Sequence, residues 1–74
     1  MTVDYSSLLS DEQKRSILEQ RLTQFAAEAY QHQINKEVAI LTENPEGISS
    51  ADNALEILTK AIQVHQNELA KLAD

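Results

Sequence analysis

One short stretch decides the fold of this chain: Glu43-Asn44-Pro45-Glu46-Gly47-Ile48-Ser49, which holds the sequence's only proline and only glycine. A residue that precedes proline is pushed out of the α-helical region, and glycine adopts a positive φ without steric cost. The sequence on both sides is rich in Ala, Leu, Gln and Glu, which all favour helix. The sequence therefore predicts a turn over residues 43–49 that joins two helices into an antiparallel hairpin.

The first helix is predicted over residues 11–42. Ser10 is a good N-cap, and Gln13 three positions later completes a capping box. The residues before it, 1–9, form an N-terminal segment with apolar side chains that include Tyr5 and Leu8.

The second helix is predicted over residues 50–73, with Ser49 or Ser50 as its cap and Asp52 in its first turn. Because the first helix is then the longer one, we expect about ten residues at its start to lack a partner helix within the chain.

The chain is short, with 74 residues and no cysteine, so we expect a single domain over residues 1–74 without disulfides, zinc-thiolate sites or thiol chemistry. A domain of this size has a thin core and needs another source of stability, of which self-association is the one left open. The expected architecture is all-α: a two-helix hairpin that dimerises into a four-helix bundle.

Helix 2 carries two apolar stripes, which predict two neighbours. The first stripe follows a heptad pattern through Ala51, Leu55, Leu58, Ile62, His65, Leu69 and Leu72. The second stripe consists of Ala54, Ile57, Ala61 and Val64. Together they are wider than one neighbouring helix requires. Helix 1 of the same chain is one expected neighbour, and a second copy of the protein is the other.

Helix 1 is less regular. Leu18, Leu22, Phe25 and Ala29 form one seam, and a second seam, shifted by about one residue, consists of Tyr30, Ile34, Val38 and Leu41. We expect the apolar stripe to rotate at this point. The residues predicted near the subunit contact are Tyr5, Leu8, Phe25, Ile57, Ala61 and Val64.

His65 is the one polar residue in the aliphatic seam of helix 2. Folding the hairpin about Glu46 places it opposite Ala26 and Ala27. Two interpretations stay open: a polar core residue that sets register and oligomeric state, or a pH switch or ligand. The first is favoured, because the flanking Ile62 and Leu69 supply no further polar groups for a binding site.

No residues are predicted to carry catalysis, to bind a cofactor or to hold a metal. The sequence has no Glu-x-x-His motif of the kind that di-iron bundles use, and its two histidines are expected at different heights of the hairpin. A single glycine also excludes the glycine-rich loops that bind nucleotide phosphates. An enzyme is therefore not expected.

The net charge is −6, which argues against direct binding of nucleic acid or of an anionic membrane. No signal peptide or long apolar run is recognisable, so we expect a protein that is neither secreted by a signal peptide nor inserted in a membrane.

Twelve acidic residues leave one alternative function, an inhibitor that imitates nucleic acid to block a host enzyme. Several carboxylates have basic neighbours at helical spacing, such as Glu56 with Lys60, which weakens that alternative.

Three stretches resemble short uncharacterised helical proteins of tailed bacteriophages, and the resemblance extends over nearly the whole chain: Asp4-Tyr5-Ser6-Ser7-Leu8-Leu9-Ser10-Asp11-Glu12-Gln13-Lys14, Gln24-Phe25-Ala26-Ala27-Glu28-Ala29-Tyr30-Gln31-His32-Gln33-Ile34-Asn35-Lys36, and Ala61-Ile62-Gln63-Val64-His65-Gln66-Asn67-Glu68-Leu69. The resemblance implies a viral gene product, made in the bacterial host cytoplasm and built into the virion or its assembly. The expected function is that of a structural or adaptor protein that forms homodimers and binds a larger protein partner.

Overall fold

The computed structural model describes residues 4–72, which form a helical hairpin. A short 3₁₀ helix, Tyr5–Leu8, precedes two long helices, α1 (Asp11–Leu41) and α2 (Pro45–Leu72). The two long helices run antiparallel: the Arg15 guanidinium donates a hydrogen bond to the Leu72 carbonyl oxygen at one end, and Lys36 pairs with Asp52 near the other. The prediction of an all-α hairpin is confirmed for this part of the chain.

The start of α1 has the expected capping box. The Ser10 hydroxyl oxygen accepts a hydrogen bond from the Gln13 N–H at 3.1 Å, and the Gln13 side chain accepts one from the Ser10 N–H at 2.9 Å. Asp11 and Glu12 lie in the first turn, where the helix dipole favours negative charge. The last helical residue, Leu41, lies one position before the predicted end of the helix.

The prediction of a turn over residues 43–49 is wrong, because α2 begins at Pro45 rather than at residue 50. Proline is well suited to the first position of a helix, where its missing N–H is not needed. The Asn44 side-chain oxygen accepts a hydrogen bond from the Gly47 N–H at 3.1 Å, which is the geometry of an N-cap. Asn44, rather than Ser49 or Ser50, therefore caps the second helix, whose predicted last residue, 73, lies outside the described residues.

The chain reverses direction at Glu43, which adopts the left-handed conformation with φ 53°. The Asn44 N–H donates to the Ala39 carbonyl at 2.8 Å, and the Glu43 N–H donates to the Ile40 carbonyl at 3.2 Å. These two bonds make a Schellman motif, in which glycine is the usual left-handed residue. The expectation that Gly47 would supply the positive φ is wrong, because a glutamate does so four residues earlier.

Gly47 serves instead to let the helices approach. A Cβ atom on Gly47 would lie 3.0 Å from the Ala39 Cβ and 2.9 Å from the side-chain nitrogen, Nδ2, of Asn44. The helices therefore approach closely beside the turn, where small residues face each other.

The early start of α2 removes the expected overhang of α1. Since Arg15 reaches the carbonyl of Leu72, only the first turn of α1 lies beyond this contact. The prediction of about ten unpartnered residues is wrong, because it rested on a second helix that began five residues later than the real one.

The core is thin and the molecule is elongated. Within residues 4–72, the buried residues are Ala39 and Ala51, which are 5% and 4% exposed, and the larger side chains of the seam are half-buried. The radius of gyration is 16.3 Å, against about 11 Å for a compact domain of this length. The accessible surface is 5950 Å², whereas a compact monomer of 8.3 kDa is expected to expose about 4,600 Å². The hairpin therefore exposes roughly 1,400 Å² more than a compact fold would.

Candidate functional site

The surface that α1 turns toward α2 is a single straight seam. It continues from the first predicted seam at spacings of three and four, through the half-buried or buried residues Leu18, Leu22, Phe25, Ala29, His32, Lys36 and Ala39. The expected rotation of the stripe at Ala29 is wrong. Lys36 can occupy a seam position because its ammonium pairs with the Asp52 carboxylate at 2.7 Å, near the rim of the contact.

The heptad predicted for α2 faces α1 along its full length. All seven positions, from Ala51 to Leu72, are buried or half-buried. The second predicted set divides: Ala54 and Ala61 are half-buried at the edge of the seam, whereas Ile57 and Val64 are 68% and 57% exposed. We call Ile57 and Val64 the α2 stripe.

A larger apolar surface lies on the side of α1 away from α2. It consists of Tyr30, Ile34, Val38 and Leu41, whose exposed fractions range from 42% for Ile34 to 85% for Leu41. Residues at spacings of three and four share one face of a helix. We call these four residues the outward α1 stripe. They were predicted as part of the helix-helix contact of the hairpin, and the structure leaves them exposed.

His65 lies inside the seam between Arg21 and Phe25. Its Nδ1 lies 2.7 Å from the Ala61 carbonyl oxygen, and its Nε2 accepts a hydrogen bond from the Arg21 Nε at 3.2 Å. This pattern requires the tautomer that carries its proton on Nδ1. The imidazole also meets the Phe25 ring edge to face, with 4.9 Å between ring centroids.

The surroundings of His65 favour the register interpretation. The Arg21 guanidinium lies 5.2 Å from the centroid of the Phe25 ring, so Arg21, Phe25 and His65 form one contact cluster across the two helices. Both imidazole nitrogens are occupied by contacts within the chain, which leaves neither free for a ligand. The prediction that Ala26 and Ala27 lie opposite His65 is wrong: Arg21 and Phe25 contact it, because the chain reverses at Glu43 rather than about Glu46.

The six residues predicted near a subunit contact lie in two different settings. Tyr5, Leu8, Ile57 and Val64 are exposed and open to a partner. Phe25 lies in the seam against His65, and Ala61 is half-buried beside it. Their participation in a subunit contact stays a prediction. The outward α1 stripe was not predicted as a separate surface. The signal that could have identified it is the shift of one residue between the two predicted seams of helix 1.

The end of the hairpin away from the turn holds an open groove of about 360 Å³. Tyr5 and Leu9 of the N-terminal segment line it, together with Ile17, Leu18 and Leu72 of the two helices. The lining is mainly apolar, with Lys14 and Lys71 among the polar residues. Both lysines form ion pairs with carboxylates, Asp11 and Glu68, on their own helices.

The 3₁₀ helix, Tyr5–Leu8, has a local cap at Asp4. Asp4 accepts hydrogen bonds from the Ser6 hydroxyl at 2.7 Å and from the Ser6 N–H at 3.1 Å. The hydroxyl bond and then the backbone bond hold the pKa of the Asp4 carboxyl below its ordinary value. The charged form of Asp4 therefore stabilises the 3₁₀ helix.

Residues 4–72 contain no group of three or more His, Cys, Asp or Glu side chains that could hold a metal ion. In the same part of the chain, neither α1 nor α2 has an apolar stretch long enough to cross a bilayer. The polar surface carries ion pairs at Lys14–Asp11, Lys60–Glu56 and Lys71–Glu68, each within one helix. The candidate binding surfaces are therefore the exposed apolar ones, the outward α1 stripe and the α2 stripe.

Comparison of the chain with protein-family models, with curated proteins and with solved structures finds no match.

Proposed function

We propose that this chain is a small non-catalytic structural or adaptor protein, which self-associates and presents helical surface to a larger protein partner. The observation that supports this most directly is the excess of exposed surface, roughly 1,400 Å² over a compact fold of the same mass. A typical stable interface buries about 800 Å² on each partner. The hairpin therefore offers more surface than one such contact needs.

The distribution of apolar side chains supports two contacts rather than one. The outward α1 stripe and the α2 stripe belong to different helices, and both are separate from the seam that holds the hairpin together. Exposed apolar patches of this kind mark protein-protein contacts in small proteins. A protein that joins copies of itself to a further partner needs two such surfaces.

The proposed setting is a bacteriophage, in which the protein belongs to the virion or to its assembly in the bacterial host cytoplasm. This part of the proposal rests on the resemblance of the three sequence stretches to short helical phage proteins. The scaffold role and the phage setting are independent, so one can fail without the other.

An acidic inhibitor of a host nucleic-acid-binding enzyme is the rival proposal. A nucleic-acid mimic needs carboxylates that stand free in a row, as phosphates do. Here Asp11, Asp52, Glu56 and Glu68 each have a lysine ammonium within 4.0 Å. This pairing favours the scaffold over the mimic.

Multi-angle light scattering over a range of protein concentrations tests the self-association. We expect a dimer at micromolar concentration that persists in high salt, because the proposed contacts are apolar. A monomer at every concentration would contradict the proposal.

Affinity capture from producing cells at low and high salt tests the partner. A scaffold should retain capsid, portal or tail proteins at high salt. A host nuclease or polymerase that is captured at low salt and lost at high salt would favour the inhibitor, since charge-steered binding is screened by salt.

A further inference from the structure

We infer that the outward α1 stripe is the contact between two copies of this chain, with α1 of one copy packed antiparallel across α1 of the other. The inference rests on the proposed self-association and names the surface that carries it. It differs from the sequence-based prediction, which placed the subunit contact on the second stripe of helix 2 and on the N-terminal segment.

The size and position of the side chains favour this face. Tyr30, Ile34, Val38 and Leu41 extend over about 16 Å of helix and lie roughly opposite the seam. A second copy can therefore pack here without disturbing the hairpin. The α2 stripe offers fewer large apolar side chains, Ile57 and Val64.

The charge of the chain argues for the same face. Two copies with a net charge of −6 each repel one another wherever their carboxylates meet. The helical neighbours of the outward α1 stripe, three or four positions away, are mostly uncharged, and Glu37 is the exception. The other charged residue in this part of α1, Lys36, is turned toward Asp52 of the same chain.

The α2 stripe has a different polar environment. Lys60 lies three positions after Ile57 and four before Val64, and Glu68 lies four positions after Val64. Charged residues at these distances share the face of the helix with the stripe. Burying Lys60 and Glu68 against a second copy would cost the hydration of two charged groups, whereas the outward α1 stripe is bordered by one, Glu37. A second copy is therefore accommodated better on α1, and the α2 stripe is left open for the larger partner.

The spacing of the stripe also indicates how the two helices cross. Tyr30, Ile34 and Val38 form a ridge of residues four apart, and two such ridges interdigitate at a crossing angle near −50°. In a two-fold contact both copies use the same patch. This ridge is centred on Ile34, so the two Ile34 side chains meet at the axis and Tyr30 of each copy lies near Val38 of the other. The contact covers part of the roughly 1,400 Å² of excess surface and leaves the rest exposed.

A matched pair of variants tests the assignment, with the full chain and light scattering or analytical ultracentrifugation as the measurement. Ile34→Glu places a charge in the proposed contact twice, once from each copy, and should raise the dimer dissociation constant by about 1,000-fold. Ile57→Glu is the control, because it makes the same change at an exposed residue of the other helix, and should alter the constant by less than about threefold. A dimer that survives Ile34→Glu and is lost with Ile57→Glu overturns the inference and leaves self-association intact.

Disulfide trapping gives a second test that does not depend on the folding of the charged variants. The chain has no cysteine, so single substitutions are unambiguous. Under mild oxidation, Ile34→Cys should form a covalent dimer, because two-fold related residues at the centre of the contact come within disulfide distance, whereas Ile57→Cys should stay monomeric on a non-reducing gel. A chain that is dimeric by light scattering and gives no covalent dimer from Ile34→Cys overturns the inference. A monomeric wild-type chain overturns the proposed self-association itself.

Discussion

The two ends of the hairpin are packed in opposite ways. At the turn, Ala39, Gly47 and Ala51 let the helices approach closely, and both alanines are buried. At the far end, Leu18 and Leu72 are half-buried beside an open groove of about 360 Å³. In the contact between α1 and α2, small residues therefore pack closely at the turn, and large residues at the far end pack less closely. In a two-helix fold, burial depends on how closely the backbones approach as much as on how apolar the side chains are.

Enlarging a residue at the turn end should have the largest effect on stability. Ala39→Leu has no space to fill, because Ala39 is buried and faces Gly47, so we expect the free energy of unfolding to fall by about 2 kcal/mol. Ala70→Leu is the matched control on the exposed side of α2 and should change stability by less than about 0.5 kcal/mol. Urea denaturation followed by circular dichroism measures both, and an Ala39→Leu variant as stable as its control would refute the tight packing of this end.

Removing a large residue at the open end should cost less. Leu18→Ala is expected to lower the free energy of unfolding by about 1.5 kcal/mol, below the usual range for a leucine in a closed core. The reason is that Leu18 is half-buried and borders the groove, so solvent already reaches part of the site. Thermal unfolding in the same buffer measures it. A loss larger than that of Ala39→Leu would reverse the order of the two ends.

Removing the backbone strain at Glu43 should stabilise the protein. Glu43 adopts a left-handed conformation that disfavours residues with a Cβ, so Glu43→Gly is expected to raise the free energy of unfolding by about 1 kcal/mol. Glu46→Gly provides the control: it makes the same substitution in the first turn of α2, where a glycine should destabilise the helix. Equal effects of the two substitutions on the thermal midpoint would contradict the Schellman assignment.

Acid should loosen the 3₁₀ helix, Tyr5–Leu8, at the open end and leave the turn intact. Because the folded chain holds the pKa of Asp4 below its ordinary value of 3.8, the stabilisation is present above that value and is lost as the pH falls below it. The effect is small, since Asp4 is fully exposed. The amide chemical shifts of residues 5–8 should move toward unstructured values below about pH 3.8, and an Asp4→Asn variant should lack this transition. A transition that persists in Asp4→Asn would assign it to another group.

Local signals in the sequence were sufficient for most of the fold. The capping box of Ser10 and Gln13 and the heptad of α2 depend on residues a few positions apart, and the structure has both. The turn was misplaced because proline and glycine are read as breakers, although Pro45 is the first residue of a helix and Gly47 lies inside it. Asn44 as N-cap and Pro45 at the first helical position are local signals for this earlier start, whereas the close contact of Gly47 with Ala39 is one that no local pattern reveals.

The surfaces were harder to predict than the helices. The sequence predicted two apolar seams on helix 1 because it followed apolar side chains alone, whereas the observed seam passes through His32 and Lys36. Lys36 lies in the seam since its partner Asp52 stands on the opposite helix. Which of two apolar sets is left exposed is decided by such pairings between helices, and these become visible with the structure.

The short reversal between α1 and α2 also sets the order of events as the chain folds. Ala39 and Gly47, which meet beside the turn, are separated by only eight positions along the chain, so bringing them together closes a very small loop and sacrifices little chain entropy. Arg15 and Leu72 are 57 positions apart along the chain. Bringing them together costs as little chain entropy only after the residue pairs between them and the turn have already formed. The hairpin should therefore nucleate at the reversal and close toward its termini, with a rate typical of folds dominated by local contacts. Substitutions near Ala39 and Ala51 should slow folding, whereas those near Leu18 and Leu72 should mainly speed unfolding.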